Sequence, residues 1–470
     1  MKTCSVIITF LLLSFSPMWT AYGQDRELTK KEQEVLIQKI SDELVARYVF
    51  PEKAKETAIH LKALQEKEFF EPHQEINSFV AAINEEIYRI SGDKHIGLSI
   101  KEKQSEATES DPFEQWMASR LEERTYFRRY NANFKSVSKL ENNIGYLDLR
   151  GFYGLDFGRE FADGAMRMLA SSDAIIIDLR NNSGGRGDMV DYLLSYFFEE
   201  PIITGKSRKR RGDTFVDRTH KTPKRTSGRI MADTPLFILT SSRTFSAAEA
   251  FSYPLKVYKR ATFIGETTKG GANAGDLISL NEDLQIFIPD VAGLPHPVSG
   301  EIFEGIGILP DVEVESEKAL EVAVEKAIEA AIEYRTRMDA QAREMLLALN
   351  KTVEEYDGEN EQVIVDAYLA CRANDLIFEE WELNSLGYQL LGGDNLPTAL
   401  AIFKTNTVLY PHSANTFDSY AEALLKNGEV KEAIASYEQA IDRAKSNEDA
   451  SLAMFEANLA KAKEVLSKHP

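Results

Sequence analysis

Apolar residues recur at helical spacing through the first hundred positions. Leu36, Ile40, Leu44 and Tyr48 fall on one face of ELTKKEQEVLIQKISDELVARYVF. Pro51 restarts a helix through KAKETAIHLKALQEK, and INSFVAAINEEIYRI supplies a third that ends near Ser91-Gly92. HIGLSI, His95 to Ile100, reads as a short strand, and KEKQSEATESD as a polar connector. From about Asn143 the period changes. NIGYLDLRGF is a strand pattern, FADGAMRMLA a short helix, AIIIDLR a buried strand, NNSGGRG a loop and MVDYLLSYFF a helix. PLFILT gives another buried strand, followed by a helix over Ala247 to Tyr258 and the strand ATFIGE. Strand and helix alternate, which predicts an α/β core with helices packed on a sheet. The basic run KSRKRR, Lys206 to Arg211, falls between strands and reads as a solvated hairpin, with contact to an acidic substrate tail as the lesser reading.

After Lys318 the pattern stays helical to the last residue, and ALEVAVEKAIEAAIEYRTRMDAQAREMLLALN fits one long helix. Gly387 and Ala421, Leu391 and Leu425, Ala399 and Ala433, and Phe403 and Tyr437 each lie 34 residues apart. That period, with those residue types, resembles a pair of tetratricopeptide (TPR) repeats. An ordinary helical tail is the other reading.

Composition narrows the possibilities. The chain has 470 residues, of which 43% are hydrophobic, enough to bury real cores. A net charge of −20 argues against a nucleic-acid partner, since no broad basic face is available to neutralise phosphates. The first residues read MKTCSVIITFLLLSFSPMWTAYGQ. Lys2, the apolar run Val6 to Phe15 and the small residues of Ala21-Tyr22-Gly23 predict a secretory signal peptide over 1–23, cut before Gln24. The run is short for a membrane span, so no stable membrane anchor is expected, and the expected location is periplasmic or extracellular. Cys4 would leave with the signal, and Cys371 alone offers neither a disulfide framework nor a cysteine-based metal site.

The candidate chemistry centres on PLFILTSSRTFSAAEAF. A strand that turns into a helix exposes backbone N–H groups at the positive end of the helix dipole. A serine at that junction can attack a carbonyl while the next amide binds the oxyanion. Ser246 fits as nucleophile and Ala247 as donor; equally, Ser246 fits a plain N-cap. In DLRNNSGGRGD, Gly184-Gly185 offers a second oxyanion donor or simply a tight turn. No GK[ST] stands at a phosphate-loop offset, and no metal-ligand cluster appears, so neither metal nor cofactor is expected.

Six motifs then occur in order: SGDKHIGL, NNIGYLDLRGF, IIIDLRNNSGG, PLFILTSSRTFSAAEAF, ATFIGETTKGGANAG and FEGIGILPDVEV. Together they resemble the S41 family of serine peptidases, the C-terminal-processing and tricorn-like proteases, over roughly residues 28–330. The resemblance implies a crotonase-like ββα core and selects Ser246 as nucleophile. The processing branch pairs that serine with a lysine about twenty-five residues on. Here that place is Gly271, and Lys269, two residues early, is the alternative base. The tricorn-like and retinoid-binding-protein-like branch uses a histidine and a later glutamate. Those match His95 in GDKHIGL and Glu304 in FEGIGILPD. His95 would act as general base, and Glu304 would orient it directly or through a hydroxyl. That branch can carry a serine just before the histidine, where this chain has Lys94. His296 is a weaker rival base, and Glu249 and Glu266 follow the nucleophile closely.

The sequence therefore predicts a signal peptide (1–23), an N-terminal helical domain (24–100), an S41-like α/β serine peptidase core (101–335) and an all-α TPR-like domain (336–470). The expected activity is that of an exported serine endopeptidase. Its partners would be a peptide or protein substrate and a protein docked on the TPR-like domain, with no nucleic acid. The competing reading is a non-catalytic module on the same scaffold that binds a hydrophobic ligand or a peptide.

Overall fold

The computed structural model describes residues 26–101, 112–225 and 228–468. The predicted signal peptide and Cys4 lie outside the described residues, as does most of the polar connector. Three helices come first among the described residues: α1 (Lys30–Arg47), α2 (Pro51–Glu66) and α3 (Ile76–Ser91). Thr29 and Glu32 form a capping box on α1, Pro51 opens α2, and Gly92, at φ 67°, ends α3 in the left-handed conformation. β1 (Gly97–Ile100) follows directly.

Next come α4 (Pro112–Tyr130), β2 (Phe134–Leu140), β3 (Ile144–Leu149), α5 (Leu155–Leu169), β4 (Ala174–Asp178) and α6 (Gly187–Leu194). A hairpin of β5 (Ile203–Arg211) and β6 (Thr214–Lys221) intervenes before β7 (Leu236–Thr240), α7 (Ala247–Val257) and β8 (Thr262–Gly265). β9 (Ala274–Ser279), β10 (Leu284–Leu294), the short β11 (Val312–Glu313) and α8 (Ala319–Glu354) complete this part. The hairpin expected around KSRKRR exists, but the basic run is its first strand rather than a link between strands.

The strands make two sheets. One has the order β11-β8-β7-β4-β3-β2, parallel from β11 to β3 with β2 antiparallel at the edge. Every residue of β4 and β7 is buried, because both faces of this sheet are covered. Ile175, Ile177 and Ile238 face a core shared with α5, α6 and α7. Ile176, Phe237 and Leu239 face Ala319, Ala323, Ala327 and Ala331, an alanine stripe that lets α8 approach closely. The second sheet has the order β1-β10-β5-β6, with β9 also on β10.

The N-terminal helices do not form a core of their own. Leu36, Ile40 and Leu44 of α1 and Ile83 and Ile87 of α3 pack with Leu98 of β1 and Leu284, Ile286 and Ile288 of β10. The chain divides instead into two compact units, between Ile332 and Glu333. This differs from the predicted boundary at residue 100, because the helices' apolar faces are closed by a strand almost two hundred positions later.

The second unit is helical: α9 (Glu361–Ala373), α10 (Glu380–Gly392), α11 (Leu396–Leu409), α12 (Ala414–Lys426), α13 (Val430–Asn447) and α14 (Leu452–Lys468). α10 and α12 begin 34 residues apart, as do α11 and α13. Gly387 sits where an added Cβ would lie 2.6 Å from the Phe403 ring, and Ala421 and Tyr437 are buried in the same core as Phe403.

Candidate active site

β7 ends at Thr240 and α7 begins at Ala247, and the turn between them is held by its own hydroxyls. Thr240 Oγ1 donates to the Glu266 carbonyl (2.8 Å), Ser241 Oγ to the Arg180 carbonyl (2.6 Å) and Thr244 Oγ1 to the Leu179 carbonyl (2.8 Å). These three side chains are buried and committed to backbone. They explain the crowd of serines and threonines, and they remove these three as nucleophiles. Glu266 accepts the Ser242 amide at 2.9 Å and so braces the same turn.

Ser246 is the N-cap of α7, but in an unusual conformation, φ 55° and ψ −118°. A capping serine ordinarily sits in the extended region. A side chain held at positive φ costs about 1–3 kcal/mol and persists where surrounding structure over-determines it. Helix capping alone requires no such strain; a serine thrust out at a strand-to-helix elbow does. Ser246→Gly relieves it, at the cost of about 0.5–1 kcal/mol in chain entropy. Ser246→Gly is therefore expected to raise the melting temperature by about 2 °C, whereas Ser246→Ala, which keeps the strain, gives no such gain. A thermal melt of the two variants checks this.

Gly184 lies directly against the elbow. A Cβ there would come within 2.9 Å of Ser246 Cβ and 3.0 Å of the Ala247 nitrogen. Of the three expected oxyanion donors, Gly184 is corrected by its bonding: its amide donates to Asn182 Oδ1 at 2.9 Å and is spent. Its role is close approach. The Gly185 and Ala247 amides have no hydrogen-bond acceptor among the described residues. Asn182, fully buried, ties the region together; its Nδ2 donates to the Leu149 carbonyl (3.0 Å) and its carbonyl accepts the Phe245 amide (3.1 Å).

Glu249, one turn into α7, is also fully buried. Its Oε2 accepts the amides of Ser246 and Gly271, each at 2.9 Å, and its Oε1 accepts the Gly270 amide (2.6 Å) and the Thr268 hydroxyl (2.5 Å). One carboxylate thereby fastens the 268–271 loop to the nucleophile turn. Burial pushes its carboxyl above the usual range, and these four donors only partly offset that.

The loop in turn carries His95 to the turn, across 151 positions of sequence. The imidazole is stacked on Phe245, with ring centroids 4.3 Å apart. A Cβ on Gly271 would lie 2.5 Å from His95 Cε1 and 2.2 Å from the Phe245 ring. The His95 side chain is only 5% exposed, yet neither ring nitrogen has a hydrogen-bond partner among the described residues. A buried imidazole with both nitrogens idle is costly unless a further group is meant to use them.

Lys269 stands apart from this. It is exposed, and its ammonium rests 4.6 Å over the Phe245 ring. A lysine base depends on burial that Lys269 lacks. Lys94 Nζ donates to the Lys269 carbonyl at 2.6 Å. His296, the rival histidine, is buried with both nitrogens engaged: Nε2 donates to the Ile203 carbonyl (3.2 Å) and Nδ1 accepts the Val298 amide (3.2 Å). It is a structural residue.

Glu304 is half-buried beside the loop and accepts the Ala272 amide. Burial raises its carboxyl above the ordinary range, and the negative charge of Asp93 adds to this, while the Ala272 amide and His95 act the other way. No hydrogen bond joins it to the His95 ring among the described residues.

Asp93 was not among the predicted site residues. It is 3% exposed, and its Oδ1 lies 3.5 Å from His95 Nδ1. Burial by itself would raise its carboxyl, but the nearby His95 ring, the His95 backbone amide and the Asn273 side chain outweigh burial and hold it below the usual carboxylate range. The signal was present in SGDKHIGL, where an acid stands two residues before the histidine.

A strained serine, a buried histidine with free nitrogens, an unspent Ala247 amide at the helix N-terminus and an unspent Gly185 amide in the glycine loop are the parts that a serine hydrolase requires. Residues 143–314, the stretch from β3 to β11, match the model of peptidase family S41. A curated relative, the "Probable CtpA-like serine protease" of Staphylococcus aureus (strain N315), is 26% identical over 203 residues, 41% of this chain and 37% of that protein. The chain thus spans well under half the length of that relative. Among solved structures, a lipoprotein from Streptococcus agalactiae is 16% identical and covers 63% of this chain and 96% of its own, with a TM-score of 0.40. The tricorn protease is 15% identical and covers 65% of this chain and 37% of its own, with a TM-score of 0.39. No helix among the described residues is long and apolar enough to cross a membrane.

Proposed function

We propose that the chain is an exported serine endopeptidase of the tricorn-like kind, with Ser246 as nucleophile and His95 as general base. The observation that carries this is the His95 ring, buried against the Ser246 turn with both nitrogens free. In the reaction, His95 takes the proton of Ser246 as Oγ adds to the scissile carbonyl. The Ala247 and Gly185 amides bind the resulting oxyanion. His95 then gives its proton to the leaving amine, and water repeats the sequence on the acyl-enzyme. Glu304 holds the loop opposite His95 through the Ala272 amide and adds negative charge near the ring.

The exposure of Lys269 speaks against a Ser246–Lys269 dyad. The strain kept at Ser246 speaks against a ligand carrier, which has no use for it. Parallel strands alternating with helices support a crotonase-like core. Helical hairpins repeating every 34 residues support a TPR-like unit that docks a protein partner or the substrate. The test is incubation of the protein with an unfolded protein and a mixed peptide pool, followed by mass spectrometry. Fragments that form with wild type and vanish with Ser246→Ala support the reading. A folded wild type that cuts nothing in either pool favours the carrier.

A further inference from the structure

We infer that Asp93, rather than Glu304, is the carboxylate that orients His95 and stabilises its protonated form. The inference rests on the reading of His95 as the general base. An ionised carboxylate has about four lone-pair sites. Three of those on Asp93 are filled. Oδ1 accepts the backbone amide of His95 at 2.8 Å; Oδ2 accepts Asn273 Nδ2 at 2.9 Å and the Tyr48 hydroxyl at 3.1 Å. The remaining direction on Oδ1 faces His95 Nδ1, 3.5 Å away. That gap is longer than a good hydrogen bond, and catalytic bonds of this type tighten once substrate is bound.

The carboxylate is held by side chains from two places distant from it in sequence. Tyr48 closes α1, Asn273 leaves the loop that Glu249 fastens to the nucleophile, and Asp93 follows the Gly92 cap of α3. Asn273 is itself fixed, since its Oδ1 accepts the Gly293 amide of β10 at 3.2 Å. The bond from Asp93 to the His95 amide, two residues on, sets the chain direction between them. Ring and carboxylate therefore move as one piece. Nδ1 is turned toward the acid, which leaves Nε2 for the serine proton.

Glu304 is occupied differently. Its bond goes to the Ala272 amide, and no carboxylate oxygen of it reaches ion-pair distance of His95 among the described residues. The departure at Lys94 fits this arrangement. Where the resemblance expects a serine linking the histidine to the glutamate, this chain has a lysine turned away to the Lys269 carbonyl. The titratable groups facing the His95–Asp93 pair are Tyr48 from α1 and Glu304 from the loop before β11.

The experiment compares Asp93→Asn, Asp93→Glu, Glu304→Gln and His95→Ala on full-length protein. Two readouts are used: kcat and KM against pH on a cleaved peptide, and the His95 titration by NMR of the imidazole in the absence of substrate. Asp93→Asn is expected to lower kcat about 10²-fold or more with KM little changed, and to move the His95 titration about one pH unit lower. Asp93→Glu is expected to recover part of both, and Glu304→Gln to move the titration much less. The melting-temperature gap between wild type and Asp93→Asn is expected to narrow below about pH 4. Folding favours the ionised acid there, so its contribution is full above the ordinary carboxylate value and lost as pH falls through the lower folded one. If Glu304→Gln moves the titration and Asp93→Asn does not, the assignment is wrong. If His95→Ala keeps full activity, the underlying reading of the base fails, which is a separate result.

Discussion

His95→Ala is expected to lower kcat by about 10⁴-fold or more, the scale on which loss of a catalytic base acts in serine proteases. Lys269→Ala is expected to stay within about threefold of wild type. The contrast follows from burial. The His95 ring is enclosed against Phe245 with both nitrogens unpartnered, whereas the Lys269 ammonium lies over the same Phe245 ring in an exposed side chain. Lys269 lacks the burial on which a lysine base depends. Steady-state kinetics on any cleaved peptide reads both variants, and circular dichroism confirms that each is folded. Loss of activity in Lys269→Ala alone would assign the mechanism to a Ser–Lys dyad instead.

Gly271→Ala carries the second large effect. The added methyl group meets Phe245 at 2.2 Å and His95 Cε1 at 2.5 Å, both well inside contact distance. Neither ring can yield cheaply, because each is stacked on the other. The ring of His95 therefore shifts by something near 1 Å, and a displacement of that size in a catalytic group costs about 10²-fold in rate. Overpacking also costs about 1–3 kcal/mol of stability. The expected outcome is a fall in kcat of about 10²-fold with a lower melting temperature. The same geometry bears on the lysine alternative. Position 271 is where the resemblance to the processing proteases would place a lysine, and here the Phe245 and His95 rings occupy that space. A side chain at 271 and a histidine at 95 exclude one another as this backbone stands.

Much of the core was legible because of how it is buried. β4 and β7 are covered on both faces, so AIIID and LFILT appear as unbroken apolar runs. α1 and α3 present one apolar face each, and their period shows. The β5–β6 hairpin is largely polar and β6 is exposed at almost every position, so no alternation marks these strands. α4 escaped for the opposite reason: Phe113, Trp116, Met117 and Leu121 are apolar yet exposed, and the helix follows a charged connector.

The site divides in the same way. Ser246 and His95 stand in short ordered motifs. Residues that work by satisfying other groups left weaker marks. Glu249 looks like any helical glutamate until three amides and a hydroxyl converge on it. Asn182 takes the Gly184 amide that the sequence had assigned to an oxyanion. Asp93 owes its role to Tyr48 and Asn273, which are far from it in the chain. Such hydrogen bonds are made in three dimensions, and residue type alone does not announce them.

Activation of Ser246 by His95 can be read without a substrate. Full-length protein is treated with a fluorophosphonate, which reacts with activated serines, and its intact mass is followed with time. A single adduct is expected, mapped to Ser246, absent in Ser246→Ala, strongly slowed in His95→Ala and unchanged in Lys269→Ala. An adduct on another residue, or labelling of Ser246 that proceeds at the wild-type rate without His95, would overturn the assignment of Ser246 as nucleophile and His95 as its base.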